Sequence, residues 1–295
     1  MNAVRKRQFT GAHGNRLAGE ETGMCDGLPV LLLHGGGQTR HAWQETAAKL
    51  GWRGYRAIFI DQRGHGESGW DSEGRYGCLD FAADLECVAR SIGEETGHPP
   101  VVVGASLGGI AAMLVAGECN ADCLSAVVLV DITPSIRSEG VDRIAGFMLA
   151  HAADGFASAE EAAEAVAAYL PQRPKPSSVS GLLKNLRRRS DGRFVWHWDP
   201  RFMDGPQAID TKADTMRRRM AEATGRIGMP LMLVRGSRSE LVQDAEVAEF
   251  LDLAPHAEVA DVRDAGHMVA GDRNDVFADA VIDFLQRHFL SAARK

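Results

Sequence analysis

Short apolar runs that alternate with helical patterns organise this 295-residue chain. Five runs are apolar throughout rather than alternating, which is typical of parallel strands buried on both faces. They cover residues 29–33, 55–60, 101–103, 126–130 and 231–234, and a sixth strand is predicted over 257–262. Helical periodicity covers residues 41–50, 80–95, 107–118, 244–253 and 275–290. Strands that alternate with helices predict an α/β fold with a doubly wound, mostly parallel sheet.

The interval from Pro134 to Gly225 interrupts this rhythm, because it contains helical patterns but no strand-like run. We therefore predict a core made of residues 1–133 and 226–295, and a helical cap (lid) of residues 134–225. The cap is inserted after the strand that ends at Asp131. It carries a small positive charge, whereas the whole chain has a net charge of −7.

Composition and charge narrow the possible partners. The chain has 33 basic and 40 acidic residues, so it lacks the basic footprint of a nucleic-acid binder. Its apolar runs are far shorter than the roughly 20 residues that span a bilayer, and no signal-peptide pattern opens the chain. Five cysteines without a Cys-x-x-Cys pair predict reduced thiols and a cytoplasmic protein. They are Cys25, Cys78, Cys87, Cys119 and Cys123.

A glycine-serine motif follows the third apolar run. Residues 104–108 read Gly-Ala-Ser-Leu-Gly, between a predicted strand and a predicted helix. A serine on such a tight strand-to-helix turn has its hydroxyl exposed, and the helix N-terminus adds partial positive charge. Ser106 is therefore the predicted nucleophile, and a plain glycine-rich loop is the alternative.

His267 is the predicted base for this serine. It lies after the last strand and before the last helix, and it follows the serine in the chain, as the order serine, acid, histidine requires. A base in this place deprotonates the serine and later protonates the leaving group. Two other histidines in glycine-rich loops, His34 and His65, are expected to shape those loops.

Four segments together carry a family resemblance. They are His34-Gly35-Gly36, the run from Asp61 to Ser68, the Ser106 motif and Gly266-His267. In these segments the chain resembles the α/β-hydrolase superfamily, in its esterase-like branch with a serine nucleophile. The resemblance implies an oxyanion hole formed by the backbone N–H groups of Gly36 and Leu107. Such donors stabilise the charge of a tetrahedral intermediate.

The acid of the triad departs from the usual pattern of this family. Its usual place follows the strand 231–234 in a Gly-x-x-Asp turn, and here the turn ends in Ser239, which is neutral. Some members of the superfamily carry the acid after strand 6, a position that Asp131 occupies in this chain. We therefore predict Asp131 as the acid, with Glu240 as the alternative.

These residues predict a cofactor-independent serine hydrolase that forms an acyl-enzyme on Ser106. The expected reaction is carboxylesterase-like, on a small organic substrate. A serine nucleophile argues against epoxide hydrolases and haloalkane dehalogenases, which attack with a carboxylate. Alternatives are an amide, lactone or C–C bond hydrolase of a catabolic pathway, and a non-catalytic ligand-binding receptor on the same fold. No metal-ligand cluster or dinucleotide fingerprint is present, so neither metal nor cofactor is predicted.

The substrate is expected to be a small molecule bound between the core and the cap. Gly35, Trp196 and Trp198 are predicted to line its pocket. Further apolar candidates for the pocket wall are Phe147, Met148, Phe194 and Phe202. An arginine of the runs 187–189 or 217–219 is expected to bind a substrate carboxylate, because the cap is more basic than the core.

Overall fold

A computed structural model of the chain describes residues 3–118, 123–171, 173 and 178–290. Cys119, one of the five cysteines predicted to be reduced, lies outside these residues, and so do residues 172 and 174–177 of the predicted cap. The other four cysteines are free thiols. Over the described ranges, no helix has both the length and the apolar character that a membrane crossing requires.

An eight-stranded sheet forms the centre of the fold, with strand order β1-β2-β4-β3-β5-β6-β9-β10. The strands from β4 to β10 in this order run parallel, and β1 and β2 are antiparallel to their neighbours. This confirms the predicted doubly wound, mostly parallel sheet. The strands are β1 Arg5–Thr10, β2 Arg16–Gly23, β3 Pro29–Leu33, β4 Arg56–Ile60, β5 Val101–Ala105, β6 Ala126–Val130, β7 Leu186–Arg188, β8 Phe194–Trp196, β9 Leu231–Gly236 and β10 Glu258–Val262.

Helices cover both faces of this sheet. In β3, Leu31 and Leu33 belong to the apolar cluster on one face, and Val30 and Leu32 belong to the cluster on the other. Successive side chains of a strand point to opposite faces, so a strand covered twice is apolar throughout. The helices are α1 Gln44–Trp52, α2 Cys78–Thr96, α3 Leu107–Glu118, α4 Ser138–Ala150, α5 Ala159–Tyr169, α6 Ser180–Leu183, α7 Asp214–Gly225, α8 Asp244–Leu253, α9 Val269–Asp272 and α10 Asn274–Leu285.

The hydrophobic pattern did not predict two pairs of strands, β1 with β2 and β7 with β8. Charged residues occupy buried positions of β2, where Glu20 pairs with Arg40 at 2.9 Å and Glu21 pairs with Arg56 at 2.7 Å. The expectation that residues 134–225 contain no strand is wrong, because β7 and β8 form an antiparallel hairpin. Each has only three residues, too few to show a period of two.

The segment around Trp198 attaches the predicted cap to the core loop between β4 and α2. The N–H of Asp199 donates to the carbonyl of Gly64, and the N–H of Gly66 donates to the carbonyl of His197, both at 2.7 Å. The buried hydroxyl of Tyr76 donates to Asp199 Oδ2 at 2.6 Å. Buried hydrogen bonds of this kind fix the segment over the carboxyl ends of the strands.

The last helix of the predicted cap packs against the core. A Cβ on Gly117 of α3 would lie 2.0 Å from the carbonyl oxygen of Ala223 in α7, so glycine allows the two backbones to touch. Helix α7 therefore packs against the core helix α3, although it falls within the residues predicted to form the cap. The division into a core and a cap of residues 134–225 stays a prediction.

Candidate active site

Ser106 lies between β5 and α3, where the chain turns from strand to helix within one residue. Its φ angle is +44°, a left-handed conformation that a residue with a side chain adopts only where its surroundings enforce it. Its N–H donates to the carbonyl of Val130 at 3.2 Å, and its carbonyl accepts from the N–H of Ile110 at 2.9 Å. These bonds hold a half-buried serine at the carboxyl edge of the sheet.

The two outer glycines of the motif are required by close contacts. A Cβ on Gly104 would lie 2.4 Å from the carbonyl oxygen of Gly108, and a Cβ on Gly108 would lie 2.5 Å from the Cβ of Leu33. Both distances are shorter than any ordinary contact, so a larger residue would push α3 away from the sheet. The glycines therefore let the helix begin directly behind Ser106.

Asp131 and His267 are joined by a hydrogen bond. Asp131 follows β6, is completely buried and has a φ angle of +52°. Its Oδ2 lies 2.7 Å from His267 Nδ1, and its Oδ1 accepts the N–H of Gly236 at 3.1 Å. A histidine that donates from Nδ1 keeps Nε2 as its basic nitrogen. Since Ser106 bonds to Val130, it lies beside Asp131 on the neighbouring strand end.

Glycine at position 236 allows the loop that carries His267 to approach Asp131. A Cβ on Gly236 would lie 2.3 Å from the carbonyl oxygen of Gly266, the residue before His267. The bare backbone at the end of β9 therefore allows the loop after β10 to approach closely. The same glycine supplies a backbone donor to Asp131.

Ser239 is a site residue that the sequence did not reveal. Its hydroxyl donates to Asp131 Oδ2 at 2.6 Å and accepts the N–H groups of Leu241 at 3.1 Å and Val242 at 3.0 Å. The serine stands where the family usually has the acid, and that substitution was the available signal. The neutral hydroxyl holds the carboxylate from the previous strand.

The alternative acid lies elsewhere. Glu240 Oε2 accepts from Arg143 Nη1 at 2.6 Å, in a partly exposed ion pair with α4. The structure therefore brings Asp131 to His267 and directs Glu240 toward the predicted cap.

Two buried histidines hold the loop after β3. His65 Nε2 accepts the N–H of Gly37 at 3.1 Å, and its Nδ1 lies 2.9 Å from the carbonyl oxygen of Arg63. His34 Nε2 likewise accepts the N–H of Gln62 at 3.0 Å. Burial lowers the pKa of both imidazoles, that of His65 to about 3, so both stay neutral and can accept these bonds.

The predicted oxyanion donors lie on two sides of the serine. The N–H of Gly35 donates to a glutamine oxygen at 3.0 Å, and that of Gly37 donates to a histidine, with Gly36 between these two fixed points. A Cβ on Gly35 would lie 3.5 Å from the Cβ of Ser106, so this loop adjoins the serine. Leu107 is the first residue of α3, where a backbone N–H has no partner within its helix. Their role as an oxyanion hole stays a prediction.

Three apolar side chains of the predicted cap cover this loop. Phe202 lies 3.1 Å from the place of a Cβ on Gly36, and the methyl carbon of Met148 lies 2.8 Å from the place of a Cβ on Gly37. The indole Nε1 of Trp198 lies 3.8 Å from the same point at Gly37. These side chains form an apolar wall over the loop that adjoins the serine.

Trp196, in contrast, packs within the cap. Its ring centroid lies 5.7 Å from that of Phe147 and 5.1 Å from that of Phe156, in an edge-to-face contact with the second ring. Of the two tryptophans predicted to line the pocket, Trp198 is the one that reaches the loop beside the serine.

One further carboxylate supports the histidine loop. Asp272 Oδ2 accepts the N–H of Gly266 at 3.0 Å, and its Oδ1 lies 3.2 Å from Arg173 Nε of the predicted cap. Arg173 also donates to the carbonyl of Gly271 at 2.7 Å. Neither residue could be recognised from a motif in the sequence.

The fold agrees with comparisons to known proteins. A sequence model described as "Alpha/beta hydrolase family" matches residues 30–280, and the chain therefore belongs to that family. Among its curated relatives, Esterase Rv0045c of Mycobacterium tuberculosis is 32% identical over 83% of this chain and 78% of the relative. The 2-(acetamidomethylene)succinate hydrolase of Mesorhizobium japonicum is 28% identical over 87% of each chain. The chain is accordingly a hydrolase.

Solved structures show the same fold. The crystal structure of E-2-(acetamidomethylene)succinate hydrolase superposes with a TM-score of 0.82, covering 96% of this chain and all of the other at 24% identity. The structure of the M. tuberculosis esterase Rv0045c gives a TM-score of 0.76 at 28% identity, covering 97% of this chain and 92% of the other.

Proposed function

We propose that the chain is a serine hydrolase of esterase type, with Ser106 as nucleophile, His267 as base and Asp131 as the acid. The observation that carries this proposal is the 2.7 Å bond between His267 and the buried carboxylate of Asp131, beside a serine held at a positive φ. Nucleophile, oriented base and buried acid are the parts that acyl transfer requires.

The proposed reaction proceeds in two steps. His267 Nε2 takes the hydroxyl proton as Ser106 Oγ attacks the carbonyl carbon, and the same nitrogen then gives this proton to the leaving alcohol. Water attacks the acyl-enzyme in the same way and releases the acid and the free serine. Asp131 stabilises the imidazolium through its bond to Nδ1, and the N–H groups of Gly36 and Leu107 stabilise each oxyanion.

We further propose a small ester that carries a carboxylate as the substrate, hydrolysed without a cofactor. Two observations support this class. One curated relative is named for a succinate derivative, which is a dicarboxylate, and another is named as an esterase. Met148, Phe202 and Trp198 offer an apolar wall that suits a small acyl group. Amides, lactones and ketones cleaved at a C–C bond are the competing substrates, since the same oxyanion chemistry serves them.

A fluorophosphonate probe tests the nucleophile. We expect one phosphonyl group on Ser106 in the wild-type protein and none in Ser106→Ala, because the probe reacts with an activated serine. Intact-protein mass spectrometry followed by peptide mapping reads the result. If the folded wild-type protein takes up no label, Ser106 is not an activated nucleophile and the proposed mechanism is wrong.

The acid is tested by replacing the carboxylate of each candidate, Asp131 and Glu240, with its amide. Asp131→Asn should lower kcat for p-nitrophenyl acetate by about 10⁴-fold, because the amide favours the wrong tautomer of the histidine. Glu240→Gln should change kcat less than twofold, since Glu240 bonds to Arg143. The reverse ranking would assign the acid to Glu240.

The substrate class is tested by matched esters. Monomethyl succinate should have a higher kcat/KM than methyl butyrate, its uncharged counterpart of similar size. Equal values for both would remove the carboxylate from the proposal and leave the esterase intact.

A further inference from the structure

A cleft lies between the predicted cap and Trp70 of the core loop between β4 and α2. Its volume is about 430 Å³, within the range of small-molecule sites, and its walls include Trp70, Leu149 and Trp198. The residues that line it include none of the proposed catalytic residues. We call this space the cap cleft.

The walls of the cap cleft leave apolar surface uncovered. Trp70 is 38% exposed and Leu149 is 44% exposed, whereas Trp198 at the inner wall is 2% exposed. Exposed apolar residues that line a concavity are typical of a ligand site, because the removal of apolar surface from water lowers the free energy. An aromatic or branched apolar group fits these walls.

An arginine at the rim supplies the charge. The guanidinium of Arg187 lies 4.6 Å from the ring centroid of Trp70, so the indole orients it. Within the described part of the chain, Arg187 forms no ion pair, while Arg189 beside it is held by Asp191. An oriented guanidinium without a carboxylate partner can bind a ligand carboxylate through two parallel hydrogen bonds. Asp204 also lines the cleft and works against an anion there.

Trp198 lies at both this cleft and the loop after β3 that carries Gly36 and Gly37. One side of the residue lines the cap cleft, and its Nε1 lies 3.8 Å from the place of a Cβ on Gly37. We infer that the cap cleft is a second binding site, distinct from the site at Ser106, for a small organic carboxylate with an aromatic or branched apolar body. The binding itself does not depend on the proposed function.

Calorimetric titration of the full chain tests this site with 4-tert-butylbenzoate as the probe. Its neutral control is 4-tert-butylbenzyl alcohol. The benzoate should bind at one site and the alcohol at least tenfold more weakly. Arg187→Gln should weaken the benzoate about tenfold and leave the alcohol unchanged, because a bond to a charged group is lost. Arg187→Lys should restore part of the affinity, since it keeps the charge without the planar fork.

Asp204→Asn is the matched control in the same cleft. It removes a negative charge, so it should strengthen benzoate binding or leave it unchanged. Equal affinities for benzoate and alcohol, or an unchanged Kd in Arg187→Gln, would overturn the proposal.

A titration of protein phosphonylated on Ser106 tests whether the two sites are separate. An unchanged Kd supports a second site, whereas loss of benzoate binding assigns the cleft to the catalytic pocket and overturns the inference. Absence of phosphonylation would contradict the proposed function alone, and the Arg187→Gln titration would still decide the binding site.

Discussion

At the scale of single residues, the site is organised around one carboxylate. Asp131 accepts hydrogen bonds from the N–H of Gly236 and the hydroxyl of Ser239, and it is paired with His267. A buried carboxylate is stable only when such partners replace its water. Because both donors come from the end of β9 and the turn after it, and His267 comes from the loop after β10, the position of the carboxylate is fixed independently of the histidine.

A carboxylate at position 239 could replace Asp131 as the partner of His267. The hydroxyl of Ser239 lies 2.6 Å from the same oxygen that binds His267, so a carboxylate at position 239 can reach that region. We expect Ser239→Asp, placed in the Asp131→Asn background, to recover at least tenfold of the kcat lost in Asp131→Asn. Steady-state hydrolysis of p-nitrophenyl acetate measures the recovery.

The control for this exchange is Ser239→Ala in the same Asp131→Asn background. It removes the acceptor for the N–H groups of Leu241 and Val242 without adding a charge, so it should recover nothing. Thermal unfolding verifies that both double variants are folded. Equal activity of the two would show that position 239 cannot host the acid.

At the scale of elements, the strands whose both faces are buried could be predicted from the sequence. The runs at β3, β5, β6 and β9 are apolar because helices cover them on both sides. In β2, ion pairs rather than apolar contacts fill the buried positions, so periodicity carries no signal there. The hairpin of β7 and β8 is too short for any periodicity.

The candidate site, too, contains residues that the sequence predicts and residues that it does not. The sequence places Ser106 and His267, because both lie in glycine-bounded turns after strands. Ser239 bonds to Asp131, and Asp272 pairs with Arg173, across about a hundred residues of chain, and no local pattern encodes such contacts. The bond from the Gly266 N–H to Asp272 spans six residues but belongs to no recognisable motif. Trp196 was predicted to line the pocket with Trp198 because both are aromatic, yet only contacts distinguish the two.

Asp272, at the end of the short helix α9, links the predicted cap to the loop that carries His267. Asp272 uses one oxygen for the N–H of Gly266 and the other for Arg173. We expect Asp272→Ala to lower kcat about tenfold with little change in KM, because the loop that carries His267 loses an anchor. Arg173→Ala should have a smaller effect, since this ion pair is partly exposed.

A surface ion pair within the predicted cap serves as the control. Asp142 pairs with Lys212 in exposed positions, and Asp142→Ala should leave both kcat and KM unchanged. Asp272→Asn is informative as well, because its amide oxygen can still accept the Gly266 N–H. Activity near wild type in Asp272→Ala would show that the loop needs no such anchor.

At the scale of the whole molecule, the core and the predicted cap share buried polar contacts as well as apolar ones. Trp198 forms a β-bridge with His65, and Tyr76 of the core donates to Asp199. His65 in turn holds Gly37 beneath Met148. A charge gained at His65 would therefore disturb the sheet edge, the predicted oxyanion loop and the cap together.

This arrangement predicts a loss of stability in mild acid. The pKa of His65 falls from 6.5 to about 3 in the folded protein, and unfolding returns it to its ordinary value. Between these limits the unfolded chain binds more protons than the native one, so the free energy of unfolding falls as the pH falls. At pH 5 it should be about 2 kcal/mol lower than at pH 7 through this residue, at 1.36 kcal/mol per unit.

Urea unfolding at pH 7 and pH 5 measures this difference. His65→Gln keeps an acceptor and a donor without a titrating group, so the variant should lose most of the pH dependence that His65 contributes. His34, whose pKa burial also lowers, leaves a residual slope of the same sign. His98→Gln, at an exposed position, should keep the wild-type slope. Equal slopes in wild type and His65→Gln would place the acid sensitivity elsewhere in the molecule.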